Sequence, residues 1–168
     1  AKAALCLPTL ALAEAVAAEW AGQGGEIVPA AMPLTRLANV AIDRTPHTRD
    51  ALIGQVRAFG GTDLLCYRAA RPQTLVARQS QMWDPPLAWA RQALGAALVV
   101  TDGALAVAQN EAALAALAQT AAASDDFALT AIAHGAGLTG SAVLALGLAL
   151  GALDAETAHA CAFLEEAW

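Results

Sequence analysis

The segment Gly135-Ala-Gly-Leu-Thr-Gly140 matches the GxGxxG pattern, and Asp154 follows at the distance typical of a dinucleotide-binding fingerprint. In that fingerprint the glycines let the backbone approach a pyrophosphate, and the acidic residue binds a ribose hydroxyl. The context favours another interpretation, because residues 127–134 are too rich in alanine for a good strand and residues 141–153 leave room for one helix only. We therefore expect a tight helix–helix turn at 135–140, with a small-molecule or nucleotide-binding enzyme as the alternative.

Metal-binding and catalytic groupings are weak throughout the sequence. His159 and Cys161, with Glu156 nearby, have metal-ligating side chains, but positions 159 and 161 point to different faces of a helix. The adjacent Asp125 and Asp126 are typical of a helix start, where carboxylates accept from free N–H groups and oppose the helix dipole. The three cysteines form no CxxC pair, which argues against a zinc site or a disulfide framework. The sequence thus predicts no catalytic residue, no metal and no cofactor.

Several polar residues stand beside large aromatic residues in a chain where only 14% of residues are charged and four are tryptophan. One interpretation is a buried network of acidic and arginine side chains that fixes how the helices pack. The other is a recognition surface on which tryptophan and arginine side chains anchor a partner. Both interpretations stay open from the sequence. The residues concerned are Glu19 and Trp20; Arg36, Asn39 and Asp43; Asp63 and Arg68; and Gln79, Trp83 and Asp84.

The composition is that of a folded, helix-rich chain. Of its 168 residues 58% are hydrophobic and the mean hydropathy is +0.49, which excludes a disordered protein. Alanine, the best helix former, supplies much of that fraction. All nine basic residues lie within 1–91, whereas 92–168 carries eight acidic residues and no Lys or Arg. This distribution excludes nucleic acid as a partner of the C-terminal half, since phosphates require a basic surface.

Helix signals occupy most of the chain, so the sequence predicts a mainly α fold, a helical domain with one minor β-hairpin. Proline, glycine and capping residues place helices at 8–22, 33–45, 48–59, 72–83, 85–94, 110–122, 125–134, 139–151 and from 154 onward, with 62–68 ambiguous between strand and helix. Pro46 is predicted to end the second of these helices, and the predicted caps of later helices are Thr48, Asn110, either Ser124 or Asp125, Thr139 and Asp154. Asp84-Pro85-Pro86 is predicted to stop one helix and start the next. The hairpin is predicted to have arms at 98–101 and 105–107, joined by Thr101-Asp102-Gly103.

An uncharged stretch over 128–153 is long enough to cross a bilayer. It is poor in large apolar residues, and its flanks are acidic, with no Lys or Arg to anchor either end. Gly147-Leu-Ala-Leu-Gly151 within it has the small-xxx-small spacing that lets two helices approach closely. We therefore predict that this stretch forms buried helix in a soluble core and does not span a membrane.

Six blocks, which follow one another along nearly the whole chain, resemble a known family. This family comprises the assembly chaperones for the F1-ATPase α subunit, which occur in mitochondria and alphaproteobacteria. The blocks are AAEWAGQG (17–24), MPLTRLANVAID (32–43), TDLLCYRA (62–69), QMWDPPLAWA (81–90), LTGSAVLALGLALG (138–151) and LDAETAHACAFLEEAW (153–168).

The resemblance implies a protein without catalytic activity that binds the newly made α subunit of the ATP synthase head before α and β assemble. It also implies a truncated N-terminal β-rich domain, of which residues 1–7 are a remnant or linker, followed by a C-terminal helical chaperone domain over 8–168. The resemblance further implies an acidic, tryptophan-containing stretch that continues past the segment matching Trp168, and we expect that stretch to be absent from this sequence. We expect a monomer in the bacterial cytoplasm, with relatives in the mitochondrial matrix.

The resemblance also places the candidate partner-binding or structural residues within the family's blocks. The acidic C-terminal half is expected to select a basic or mixed-charge patch on the client. The candidates are Glu19 and Trp20 in the first block; Arg36, Asn39 and Asp43 in the second; Asp63 and Arg68 in the third; Trp83 and Asp84 in the fourth; and Glu165 and Glu166 in the acidic C-terminal helix.

Overall fold

The computed structural model describes residues 4–103 and 107–168, and within them the chain forms eight α-helices, two 3-10 helices and two short strands. The helices are α1 (Leu10–Ala21), α2 (Pro33–Asp43), α3 (Thr45–Gly61), α4 (Gln73–Leu94), α5 (Glu111–Ala122), α6 (Asp126–Thr139), α7 (Ala142–Ala149) and α8 (Ala155–Ala162). The 3-10 helices cover Pro29–Ala31 and Leu64–Cys66, and the strands are β1 (Tyr67–Arg68) and β2 (Thr101–Asp102). The mainly α prediction is confirmed.

Polar side chains start most of these helices, as the sequence predicts. Asn110, Asp125 and Asp154 each accept a hydrogen bond from a backbone N–H in the first turn of α5, α6 and α8. At α7 the capping residue is Ser141 rather than the predicted Thr139, which is the last residue of α6. The predicted capping positions are therefore correct to within two residues in this half of the chain.

The glycine motif lies inside α6 and does not form the predicted turn over its whole length. Gly135 and Gly137 are helical, and only Gly140, with φ +67°, makes the sharp turn into α7. The residues that would have to form the strand of a dinucleotide-binding unit are the first two turns of α6 instead. The alternative of an enzyme that binds a nucleotide at 135–140 lacks the geometry it needs.

Helix α4 contradicts the prediction that Asp84-Pro85-Pro86 separates two helices. A single helix continues from Gln73 to Leu94 with both prolines inside it. Pro86 is buried, and it lacks the N–H that would bond the carbonyl oxygen of Met82. Cys161 Sγ donates to that oxygen instead, at 3.3 Å. Packing against the C-terminal helix α8 therefore compensates for the hydrogen bond that Pro86 cannot make, and the helix continues where the sequence predicts an end.

Pro46 also has a different role from the predicted one. It lies in the first turn of α3, where its missing N–H would have no helical partner. Helix α3 therefore begins at Thr45, three residues before the predicted cap Thr48, and α2 ends at Asp43. The two helices are joined by Arg44 alone.

The predicted hairpin is wrong in its pairing. Its first arm contributes β2, which pairs in parallel with β1, so that Thr101 lies opposite Tyr67 and Asp102 opposite Arg68. Most of the second arm lies outside the described residues, since 104–106 are not among them. The partner of β2 is the distant segment 67–68, and turn residues between 98 and 107 cannot predict a pairing with so distant a strand.

Helix α7 lies at the centre of the core. Its residues from Ala142 to Gly147 are all buried, and it packs against α6, α4, α3, α5 and α8. Helices α3, α5 and α6 complete this central group, and α3 and α5 approach closely because Gly60 faces Leu117 without a Cβ. Helix α2 packs against α6 and α3, and α1 packs against α2. No helix of the described residues has the length and hydropathy to cross a membrane, as predicted for 128–153.

Candidate functional site

Glu19 joins α1 to the start of α2. Its Oε1 accepts from the backbone N of Leu34, and its Oε2 accepts from both the backbone N and the Oγ1 of Thr35, each at 2.7 Å. The local cap residue Met32 supplies no side-chain hydrogen bond, so a carboxylate from another helix caps α2. Desolvation raises the pKa of Glu19, but the bonds from Thr35 and Leu34 outweigh it and leave the pKa below its ordinary value.

Trp20, the next residue, faces solvent. Its side chain is 47% exposed, and Val16 is the buried residue of α1. Leu10, Ile27 and Val28, from the start of α1 and the loop that follows it, are also more than half exposed. Neighbouring residues 19 and 20 therefore have different roles, one as a helix cap and the other as a solvent-facing aromatic ring.

Arg36, Asn39 and Asp43 form an exposed polar stripe along α2. Their spacing of three and four residues places them on one side of the helix, away from buried Ala38 and Ala41. No side-chain hydrogen bond joins any of the three to another described residue. The stripe is available to solvent and to a partner.

Asp63 is fully buried and caps α7 from a distance. Its Oδ2 accepts from the backbone N of Val143 and its Oδ1 from that of Leu65, both at 3.1 Å. Burial raises the pKa of Asp63 to about 6, although the hydrogen bonds from Ser141, Val143, Leu65 and Ala142 oppose the increase. This side chain fixes the 62–69 segment against the central helix.

Arg68 is buried between the same segment and α4. Its Nε donates to the carbonyl oxygen of Leu65 at 2.9 Å, and its Nη2 donates to Asp84 Oδ1 at 2.8 Å. Its guanidinium carbon lies 5.2 Å from the centre of the Trp83 ring, within the range of a cation–π contact. Asp84 is itself exposed, so the ion pair joins a buried cation to a surface anion.

Trp83 joins α4 to the C-terminal helix. Its ring is fully buried, and its Nε1 donates to the carbonyl oxygen of Cys161 at 2.9 Å. Together with the Cys161 bond to Met82, this contact makes two links between α4 and α8.

The two buried cysteine thiols have raised pKa values. Burial raises the pKa of the Cys161 thiol, and burial together with nearby Asp63 raises the pKa of the Cys66 thiol to about 12. Neither thiol is therefore available as a thiolate nucleophile at neutral pH.

Gln79 is the last of the buried candidate residues, and it joins α4 to two other segments. It is fully buried, accepts from the backbone N of Ala69 at 2.8 Å, and donates through Nε2 to Glu165 Oε1 at 2.6 Å. Its spacing agrees with this burial, since 79, 83, 86 and 90 are the buried positions of α4. Glu166, by contrast, is exposed and makes no side-chain hydrogen bond to a described residue.

Apart from Glu19, which caps α2, the candidates divide into two groups in space. A buried network, made of Asp63, Arg68, Gln79 and Trp83 with their partners Asp84 and Glu165, ties the 62–69 segment, α4, α7 and the C-terminus together. The exposed group comprises Trp20, Arg36, Asn39, Asp43 and Glu166. Within 4–103 and 107–168, no cluster of three or more His, Cys, Asp or Glu side chains has metal-binding geometry.

Comparison with known proteins identifies the family. The sequence profile described as ATP12 chaperone protein matches residues 1–91. The crystal structure of Atp12 from Paracoccus denitrificans matches with a TM-score of 0.89 and 44% identity, covering 97% of this chain and 70% of that chain. A protein from Agrobacterium tumefaciens matches with a TM-score of 0.88 and 41% identity, covering 98% of this chain and 62% of that chain. The chain described here therefore belongs to the ATP12 chaperone protein family.

Proposed function

We propose that this protein binds the unassembled α subunit of the ATP synthase F1 head and holds it until the head assembles. The observation that carries the proposal is the 44% identity to Paracoccus denitrificans Atp12 over 97% of this chain, together with membership of the ATP12 chaperone family. The blocks quoted above support the choice of the α subunit, since they resemble those of α-subunit chaperones.

The proposed mechanism follows from the physics of an unassembled subunit. A subunit that will be packed in a ring has a large apolar interface, and an exposed interface of that kind leads to aggregation. A chaperone that covers it lowers the concentration of the free interface by mass action. Release follows when the larger interface with the β subunit replaces the smaller one with the chaperone. No chemical step is needed, so we propose binding without turnover and without a cofactor.

The exposed group of candidate residues supplies the proposed contact surface. Trp20 offers an aromatic anchor, and the stripe on α2 offers charged and amide groups. Glu166 adds a negative charge in the acidic C-terminal half, which favours a basic or mixed-charge patch on the client. In this proposal the buried network stabilises the fold and does not itself touch the client.

The remaining expectations belong to the same proposal. We propose that the protein acts as a monomer in the bacterial cytoplasm, and that a β-rich domain precedes the helical domain in the full-length family member. We also propose that the helical domain covers 8–168. Residues 4–9 precede α1 and contain neither helix nor strand.

The test is co-purification from cells of the same bacterium, with tagged full-length protein as bait. We expect the F1 α subunit in excess over the β subunit, and we expect purified α to stay in solution longer when the chaperone is present. A matched bait is the Trp20→Ala variant, which should fold normally and capture less α. Equal capture of β, or capture of neither subunit, would overturn the proposal.

A further inference from the structure

A surface groove runs between α2, α3 and α6 beside the polar stripe. It encloses about 350 Å³, and its walls and floor are largely apolar, formed by Leu37, Val40, Leu52 and Ala133. The volume is at the lower end of the range of about 300 to 1,000 Å³ that is typical of ligand-binding pockets. An opening of this size accommodates a few side chains of a partner.

The rim of the groove carries polar groups, and Arg36 is its one permanently charged side chain. Gln55 and His134 stand on the other walls, and no carboxylate is among the lining residues. Arg49, Arg57 and Arg68 each form an ion pair, whereas Arg36 forms none with a described residue. In a chain of net charge −6, this places a cation without an intramolecular partner next to an apolar groove.

We infer that the groove is a docking site for an acidic, aliphatic segment of the client, with aliphatic side chains in the groove and a carboxylate on Arg36. The inference rests on the proposed function, because it takes the client to be the F1 α subunit. Apolar walls favour aliphatic side chains over a free anion, and the guanidinium favours a carboxylate in a bidentate arrangement. A segment with basic residues at this place would be repelled by Arg36.

The first test measures the affinity of the full chain for purified α subunit after a charge reversal. Arg36→Glu should weaken binding by about tenfold or more, because the carboxylate of the client then faces a like charge. Arg78→Glu is the matched control, since Arg78 is also exposed on a helix and lies outside the groove. The control should change the affinity by less than about twofold. Both variants should keep the melting temperature of the parent, since neither side chain bonds to a described residue.

The second test identifies the segment that occupies the groove. A photo-cross-linking amino acid placed at position 55, on the rim, should label one segment of the α subunit that carries Asp or Glu within one helical turn of aliphatic residues. The same amino acid at position 78 should not label that segment. Cross-links from position 55 to a second copy of this chain, or to a segment without a carboxylate, would overturn the inference.

The possible outcomes distinguish a failure of the groove inference from a failure of the proposed function. If the parent protein binds α and Arg36→Glu binds equally well, the groove is not the docking site and the proposed function stands. If the parent protein itself does not bind α, the proposed function fails, and the groove inference fails with it. Loss of binding with Arg36→Glu and with Arg78→Glu alike would indicate general charge repulsion and would also overturn the inference.

Discussion

The Glu19 carboxylate of α1 lies 2.7 Å from both the backbone nitrogen and the hydroxyl oxygen of Thr35 in α2. Asp63 stands in the same relation to α7, where it accepts from the backbone nitrogen of Val143. In each case a carboxylate from outside the helix satisfies N–H groups that the first turn leaves free. The two acidic residues therefore fix how separate segments pack, a structural use of residues that were candidates for recognition.

The first prediction concerns Glu19. Glu19→Gln should lower the melting temperature near pH 7, because a neutral amide accepts more weakly than a carboxylate and carries no charge to oppose the dipole of α2. The pKa of Glu19 is depressed in the fold, so its stabilising effect is present above the unfolded value of 4.5 and is lost as the pH falls. The difference between variant and parent should therefore shrink in acid. Thermal unfolding at a series of pH values measures it.

Glu14→Gln is the control for this experiment. Glu14 lies in the same helix, is exposed and makes no side-chain hydrogen bond to a described residue. Its substitution should leave the melting temperature nearly unchanged at every pH. An equal loss of stability in both variants would show that overall charge matters and that the cap on α2 does not.

The second prediction has the opposite pH dependence. Asp63 is buried with a pKa of about 6 against an ordinary value of 3.8, so its contribution to stability is fully present below 3.8 and is lost as the pH rises through 6. Asp63→Asn should lower the free energy of unfolding at pH 4 by about 1–3 kcal/mol, because one N–H that the carboxyl accepts loses its partner. The difference in free energy of unfolding between this variant and the parent should become smaller between pH 4 and 7, because only the parent has a buried carboxyl group that ionises. Urea unfolding at both pH values tests this.

Asp50→Asn provides the comparison for Asp63. Asp50 is exposed on α3, so the stability of this variant should follow that of the parent at both pH values. A deficit for Asp63→Asn that grows towards pH 7 would contradict the raised pKa.

The third prediction concerns the link between α4 and α8. Trp83→Phe removes the indole N–H that donates to the Cys161 carbonyl oxygen, so this buried oxygen loses that partner. We expect a loss of about 1–3 kcal/mol in the free energy of unfolding. Trp89→Phe is the control for the smaller ring, because Trp89 is half-buried and its indole makes no hydrogen bond to a described residue. Equal losses in the two variants would show that ring size alone decides the effect.

The elements that the sequence predicts best are those governed by local chemistry. Asn110, Asp125 and Asp154 cap helices as predicted because a side chain and the N–H it accepts from lie two or three residues apart. The continuity of α4 through Pro86 depends on Cys161, 75 positions away in the chain, so no local pattern reveals it. The parallel pairing of β1 with β2 is non-local in the same way.

The sequence names the candidate residues but does not predict which of them are buried and which are exposed. The choice between a buried network and an exposed surface stays open in the sequence because both use the same residue types. The structure shows that adjacent residues differ, as Glu19 bonds to Thr35 while Trp20 faces solvent. Only the packing around each side chain shows which of the two interpretations applies to that residue.

The fourth prediction uses two adjacent acidic residues to separate stability from recognition. Glu165→Ala leaves the buried Nε2 of Gln79 without its acceptor and should lower the free energy of unfolding by about 1 kcal/mol. Glu166→Ala removes the same charge but no hydrogen bond to a described residue, so the melting temperature should stay unchanged. If Glu166 contacts the client as proposed, the second variant should bind the α subunit more weakly although it is as stable as the parent. Thermal unfolding and α-subunit affinity, measured on both variants, distinguish the two roles, and unchanged affinity with Glu166→Ala would remove this residue from the contact surface.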